Sequence, residues 1–154
     1  ESILAMARGA KAKGYQDMAI TDHSQSLTIA HGLTVERLRE QRKEIEEAQA
    51  KIGDGFRIFH GIELEIKTDG TLDFPDEVLA WLDIVVASIH NGLRQPGEEV
   101  TRRALNAVRN PHVDILGHPT GRLINHREPS AMDDDAVIRG AARTGAGREV
   151  NAST

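Results

Sequence analysis

Short apolar runs that end in His or Glu recur along the chain. Met18-Ala19-Ile20 leads into Thr21-Asp22-His23-Ser24, and Ile58-Phe59-His60-Gly61-Ile62 leads into Glu63. Ile84-Val85-Val86-Ala87-Ser88-Ile89 leads into His90, and Val113-Asp114-Ile115-Leu116-Gly117 into His118. Continuous apolar runs of this length predict strands covered on both faces, as in parallel sheets. The expected strands are residues 15–21, 56–66, 83–89 and 113–117, with a further one opening at 148–151.

Helical periodicity fills the intervals. Ile3, Met6, Ala7 and Ala10 share one face over residues 2–13, and Gly14 follows as a left-handed stop. Thr34 is placed to cap a helix with Val35, Leu38, Ile45, Ala48 and Ile52 as its inner stripe, ended by Gly53-Asp54-Gly55. Its pairs Arg42 with Glu46 and Lys43 with Glu47 are four apart and read as a solvated face. Asp69-Gly70 suits a tight hairpin turn with Thr71-Leu72-Asp73 as a short return, and Pro75 opens a brief helix through Leu79. Residues 100–108 and 134–143 complete the helices, the first closed by Asn110-Pro111 and the second near Gly145. Strand and helix in alternation imply an α/β fold with a parallel sheet or barrel, in one domain.

In barrels of this kind the carboxyl ends of the strands open on one face, where side chains far apart in sequence converge. Four strand ends here carry His23, Glu63, His90 and His118, three imidazoles and a carboxylate. Such ligands suit Zn, Mn or Fe, and a carboxylate such as Glu63 can bridge two ions, whereas Ca and Mg favour oxygen. A metal at an open site lowers the pKa of bound water to about 7, and attack of that water on a phosphoester is the simplest use of the cluster.

Asp22 is the candidate catalytic carboxylate. Neighbouring strand residues point to opposite faces, so it joins His23 only where the strand has ended, and a hydrogen-bonded role supporting the ligands is its alternative. Arg94 and Arg122, in loops after His90 and His118, are the candidate phosphate-binding residues. His60 points away from Glu63 and is expected to pack, His112 lies at the wrong strand end, and His31 and His126 sit on loops. The loops from Gln25 to Leu33 and from Pro119 to Pro129 are long and adjoin the expected site.

Composition narrows the chemistry. The 154 residues include no Cys, which excludes disulfides, thiolate metal sites and Cys nucleophiles and is compatible with a cytoplasmic protein. A formal charge of -5 gives no general basic footprint, so any DNA contact would be local or aided by bound cations. No run approaches the roughly 20 apolar residues of a membrane span, and no signal-peptide pattern opens the chain.

Several of these stretches together resemble a known family. Thr21-Asp22-His23-Ser24-Gln25-Ser26-Leu27, Gly61-Ile62-Glu63, Ala87-Ser88-Ile89-His90 and the run Asn110-Pro111-His112-Val113-Asp114-Ile115-Leu116-Gly117-His118-Pro119-Thr120-Gly121-Arg122 resemble the PHP (polymerase and histidinol phosphatase) domain, in the variant attached to bacterial and archaeal family X DNA polymerases. The resemblance implies a distorted seven-stranded, TIM-like β/α barrel with two or three divalent metals, usually Mn or Zn, and phosphoesterase activity. It implies metal-ligand roles for His23, Glu63, His90 and His118, with Glu63 bridging, and 3'-5' exonuclease, 3'-phosphatase or abasic-site cleavage on DNA.

The family also carries a His-x-His strand before the first helix and an Asp-x-His strand beyond the position of Thr154, and neither is in these 154 residues. The expectation is therefore a partial PHP domain over residues 1–154, an incomplete barrel that by itself binds metal poorly and turns over slowly. The alternatives are a small-molecule phosphatase such as a histidinol phosphatase, and a non-catalytic module that packs on a polymerase.

Overall fold

The structure, a computed structural model, describes residues 1–150. Five strands, β1 (Asp17–Ile20), β2 (Arg57–Glu65), β3 (Ile84–Ser88), β4 (Ile115–Leu116) and β5 (Gly147–Arg148), lie side by side in chain order, and every pair is parallel. The helices are α1 (Ile3–Ala12), α2 (Val35–Ile52), α3 (Asp76–Leu79), α4 (Gly97–Arg109) and α5 (Asp134–Thr144). The α/β alternation expected from the sequence is present. The strands are shorter than their apolar runs because a ladder extends only as far as a neighbour is there to pair. Asn151, at the end of the fifth expected strand, lies outside the described residues.

Local chemistry sets the helix limits. The side chains of Ser2, Thr34 and Asp133 accept from the backbone N–H of Ala5, Arg37 and Ala136, each capping a first turn. Gly14 at φ +90° and Gly145 at φ +84° take the left-handed conformation that stops a helix cheaply. α4 starts at Gly97, ahead of the expected Val100, because Pro96 presets the entry and Glu98 and Glu99 suit a first turn although neither is apolar. The Asp69-Gly70 hairpin forms as expected, with Lys67 N–H donating to Thr71 O and Ile66 bridging Leu72 in antiparallel fashion.

Sequential parallel strands joined by right-handed crossovers place their helices on one face of the sheet. On that face Ile62 and Leu64 of β2, Val85 and Ala87 of β3 and Leu116 of β4 are buried with Leu38, Val100, Ala104, Val108 and Val137. A second cluster joins Ile3, Ala7, Ile20, Ile45, Ala48, Phe56 and Ile58 around α1 and the adjoining part of α2. The opposite face carries Glu63 and Glu65, in register with Val86 and Ser88. Phe59, Ile84, Val86 and Ile115 on this second face are only half-buried. Gly61 lets β3 approach closely, since a Cβ there would fall 2.3 Å from Ile84 Cγ2 and 2.7 Å from its carbonyl oxygen.

His60 packs, as its strand parity predicts. It is 1% exposed, its ring centroid is 5.8 Å from that of Trp81, and among the described residues neither ring nitrogen has a hydrogen-bond partner. Arg42 departs from the solvated-face reading: besides its 3.3 Å contact with Glu46 it donates from Nη1 to the Trp81 carbonyl at 2.7 Å. Burial pushes the His60 pKa down to about 4, aided by Arg42 and opposed by Asp83 and Glu46. A histidine whose pKa is lower folded than unfolded contributes stability that is full above about 6.5 and is lost as pH falls toward 4. Urea unfolding at pH 7 and pH 4.5 is expected to show an acid loss that His60→Met reduces by about 2 kcal/mol. An equal loss in both proteins would locate the sensitivity elsewhere.

Candidate metal centre

β1 ends at Ile20, and the chain continues extended through Thr21 and Asp22 to His23, which bridges Glu63 in parallel fashion. Glu63 N–H donates to Asp22 O and Ser24 N–H to Glu63 O, both at 2.9 Å, so His23 is fixed beside the carboxylate. β3 delivers His90 just beyond Ile89. β4 delivers His118 through Gly117, where a Cβ would lie 2.4 Å from Ser88 Oγ and 2.9 Å from Val86 Cγ1. His118 takes φ +24°, an uncommon backbone value for a residue with a Cβ, and its N–H donates to Glu149 Oε2 at 2.6 Å.

The three Nε2 atoms meet at one carboxylate. His23 Nε2 lies 3.4 Å from Glu63 Oε2, while His90 and His118 Nε2 lie 3.1 and 2.9 Å from Oε1. The rings of His23 and His90 are 5.1 Å apart and those of His90 and His118 4.9 Å, both edge-on. His23, Glu63 and His90 offer ligand atoms within 4.8 Å of one another, a spacing that bonds of about 2.0–2.2 Å to one ion need change little. The residues present therefore fit a divalent metal.

Glu65, two residues after Glu63 and on the same face of β2, is 2% exposed and belongs to the same network. Its carboxylate accepts from His90 Nδ1 at 2.6 Å, from the backbone N–H of His90 and Asn91, and from Asn91 Nδ2. With Nδ1 occupied, Nε2 of His90 is the nitrogen presented to a metal, the arrangement in which a carboxylate fixes both tautomer and ring. Ser24, fully buried, accepts the Glu65 N–H on its Oγ and ties the two strand ends together.

Electrostatics follow from this crowding. Burial opposes ionisation of Glu63, but hydrogen bonds from His118 and His90 and the charge of His23 outweigh it and hold the carboxyl well below the usual range. At His90 burial disfavours the cation, yet hydrogen bonds to Glu63 and Glu65 push its pKa up to about 9. A metal entering at neutral pH must displace that proton, so binding releases protons and weakens as pH falls.

The other candidates are distributed around the cluster. Asp22 is exposed beside His23, and its Oδ2 accepts from Gln41 Nε2 of α2 at 2.5 Å, away from Glu63. Asp22 and His23 line a small polar pocket with His31. Arg122 lines a cavity of about 550 Å³ together with His90 and His118, whereas Arg94 lines a neighbouring cleft with His126 and Arg127. His112 lies ahead of β4, away from the cluster, with its N–H on Asn110 Oδ1.

The sequence reading did not single out Glu65, Glu149 or Arg103. Glu65 had a signal in the i, i+2 pairing of two carboxylates along an apolar strand. Glu149 and Arg103 had none, since their roles depend on which loops meet them.

The chain is 50% identical over 152 residues to the DNA polymerase/3'-5' exonuclease PolX of Bacillus subtilis (strain 168), a match that takes in 99% of the chain and 26% of that protein. It is 33% identical over 158 residues to a probable phosphatase of Caldanaerobacter subterraneus subsp. tengcongensis, covering 99% of the chain and 57% of the relative. A probable phosphatase of Shewanella sp. (strain W3-18-1) is 35% identical over 149 residues, 94% of the chain and 54% of the relative. No family model matches the chain. The chain thus spans about a quarter of PolX and somewhat more than half of these phosphatases. Its relationship to a polymerase/exonuclease and to phosphatases agrees with the resemblance read from the motifs. Among the described residues no helix is long and apolar enough to cross a membrane.

Proposed function

We propose that this chain, a relative of PolX over its whole length, is the PHP phosphoesterase unit of a cytoplasmic family X DNA polymerase and hydrolyses phosphoesters at DNA 3' ends. The observation that carries the reading is the convergence of His23, His90 and His118 on Glu63 at the carboxyl ends of parallel strands. Two or three divalent ions, Mn, Zn or Fe, fit this donor set together with ligands from the rest of the parent chain. Such ions supply a Lewis acid for phosphoryl oxygens and lower the pKa of water to about 7.

The chain's own residues divide the remaining work. Glu63 faces all three imidazoles and would be the carboxylate that holds the ions together with them. Glu65 holds the His90 ring so that Nε2 stays available to the metal. Arg122 binds the non-bridging phosphate oxygens from the cavity it shares with His90 and His118, and Arg94 contacts the strand farther out. Asp22, open to solvent beside His23 with its Oδ2 accepting from Gln41, would use its remaining oxygen to take up the proton lost by the attacking water and return it to the departing oxygen, and otherwise supports His23 from outside the cluster.

In this reading residues 1–154 are part of a distorted seven-stranded, TIM-like barrel. The half-buried apolar face of Phe59, Ile84, Val86 and Ile115 supports it, because a barrel would enclose that face.

A second reading, a small-molecule phosphatase such as a histidinol phosphatase, draws on the relatives named as probable phosphatases. Elemental analysis of the full-length protein and parallel assays on a 3'-recessed DNA end and on histidinol phosphate separate the two. Two or three metals per chain with faster turnover of the DNA end are expected. Preference for histidinol phosphate would establish the second reading, and absence of both metal and hydrolysis would leave a structural module.

A further inference from the structure

The cavity beside His118 has a feature that holding a phosphate does not require. Leu123 is 51% exposed and Ile124 46% exposed, and both line the cavity with His90, His118, Arg122 and Arg127. Their exposure is built into the loop. Leu123 and Arg127 exchange backbone hydrogen bonds at 3.0 and 2.8 Å, and Arg127 Nε donates to Gly121 O at 2.6 Å. Gly121 N–H in turn donates to His118 O at 2.9 Å, so the turn that presents the two apolar side chains is tied to a residue of the metal cluster.

Charge distinguishes this place from the rest of the surface. In a chain of net charge -5, the cavity collects Arg122 and Arg127, together with Arg148, whose Nη2 is paired with Asp134 Oδ1 at 2.6 Å. Its carboxylate, Glu149, is engaged by the His118 N–H. The volume of about 550 Å³ falls within the roughly 300–1,000 Å³ of small-molecule sites and suits a single nucleotide better than a duplex end. An occupant that is anionic on one side and flat and apolar on the other matches both halves of the lining.

We propose that Leu123 and Ile124 form a platform for the 3'-terminal base of a nucleic-acid strand whose phosphate lies toward His90, His118 and Arg122. The proposal rests on the phosphoesterase reading for the position of the phosphate, and adds the element that distinguishes a nucleic-acid end from a small phosphoester. Aliphatic contact with a base face discriminates little between bases, so the platform accepts any terminal base.

Photocrosslinking tests it without turnover. Full-length protein in EDTA is irradiated with a single-stranded oligonucleotide carrying a 3'-terminal 4-thiothymidine, and the labelled peptides are mapped by mass spectrometry. The expected label lies in residues 119–130, with its yield at subsaturating oligonucleotide falling about tenfold in Leu123→Ala/Ile124→Ala, the ratio that a loss of ~1.4 kcal/mol gives. Leu123→Phe, which preserves an apolar face, retains the label and controls for folding of the loop. Label confined to a polymerase body, or a yield unchanged in the double variant, overturns the platform. Hydrolysis is scored separately on the metal-loaded protein, so loss of the phosphoesterase reading would show as inactivity there and not as a moved crosslink.

Discussion

Glu63→Gln is expected to empty the metal centre and lower phosphoester hydrolysis by on the order of 10³-fold or more, because losing about 4 kcal/mol of transition-state stabilisation has that effect. The amide keeps the size of the side chain and removes the charge that three imidazoles share, with Nε2 atoms at 2.9 to 3.4 Å. An amide carbonyl is a poor metal bridge between His ligands, and its NH₂ group would face nitrogens that must be lone-pair donors. Glu65 remains against His90 Nδ1, so the ring keeps its orientation and the fold should survive. Circular dichroism matching wild type, metal content near zero and kcat/KM near background constitute the expected result. Full metal stoichiometry in Glu63→Gln would remove Glu63 from the ligand set and with it the bridging role.

How much of this was readable beforehand depended on whether the cause was local. The strand ends at His23, Glu63, His90 and His118 were legible because an apolar run that stops at a metal-ligating side chain needs no knowledge of its neighbours. The caps at Thr34 and Gly145 were legible for the same reason. Strand lengths were not, since β4 pairs over only two residues although its apolar run is longer, and pairing is a property of two chains segments at once.

The site shows the same division. Asp22 and His23 are adjacent in sequence, yet the alternation of an extended chain sends one to Gln41 and the other to Glu63. Arg94 and Arg122 follow their histidines at the same interval of four, but the turns between them differ, and only Arg122 shares a cavity with His90 and His118. Arg42 reads as part of a solvated helix face, and nothing in the sequence singles out Arg103 on the following long helix. Each instead reaches main-chain carbonyls of a neighbouring segment, which no helical periodicity can reveal.

Arg103 leads to the second large effect: Arg103→Met is expected to destabilise the protein by more than about 3 kcal/mol, against a typical total of roughly 5–15 kcal/mol. Its side chain is fully buried in α4 and spans two site loops. Nε donates to Lys67 O at 2.9 Å, Nη1 to Gln95 Oε1 at 2.7 Å and to Gly92 O at 3.4 Å, and Nη2 to Ile66 O and Asn91 O. Burial lowers its pKa from the ordinary arginine value, with the charge of Glu65 opposing. Met fills much of the volume but leaves these carbonyls without their donor, at roughly 1–3 kcal/mol for each that water cannot reach. Arg103→Lys offers three donors on a point charge and should recover only part of the loss, because the fork that spans both loops is gone. Asn91 immediately follows His90, so metal affinity measured at a temperature where the variant is still folded should fall as well. Thermal unfolding of the three proteins checks the order wild type, Lys, Met, and a Met variant within 1 kcal/mol of wild type would mean that water replaces the guanidinium between the loops.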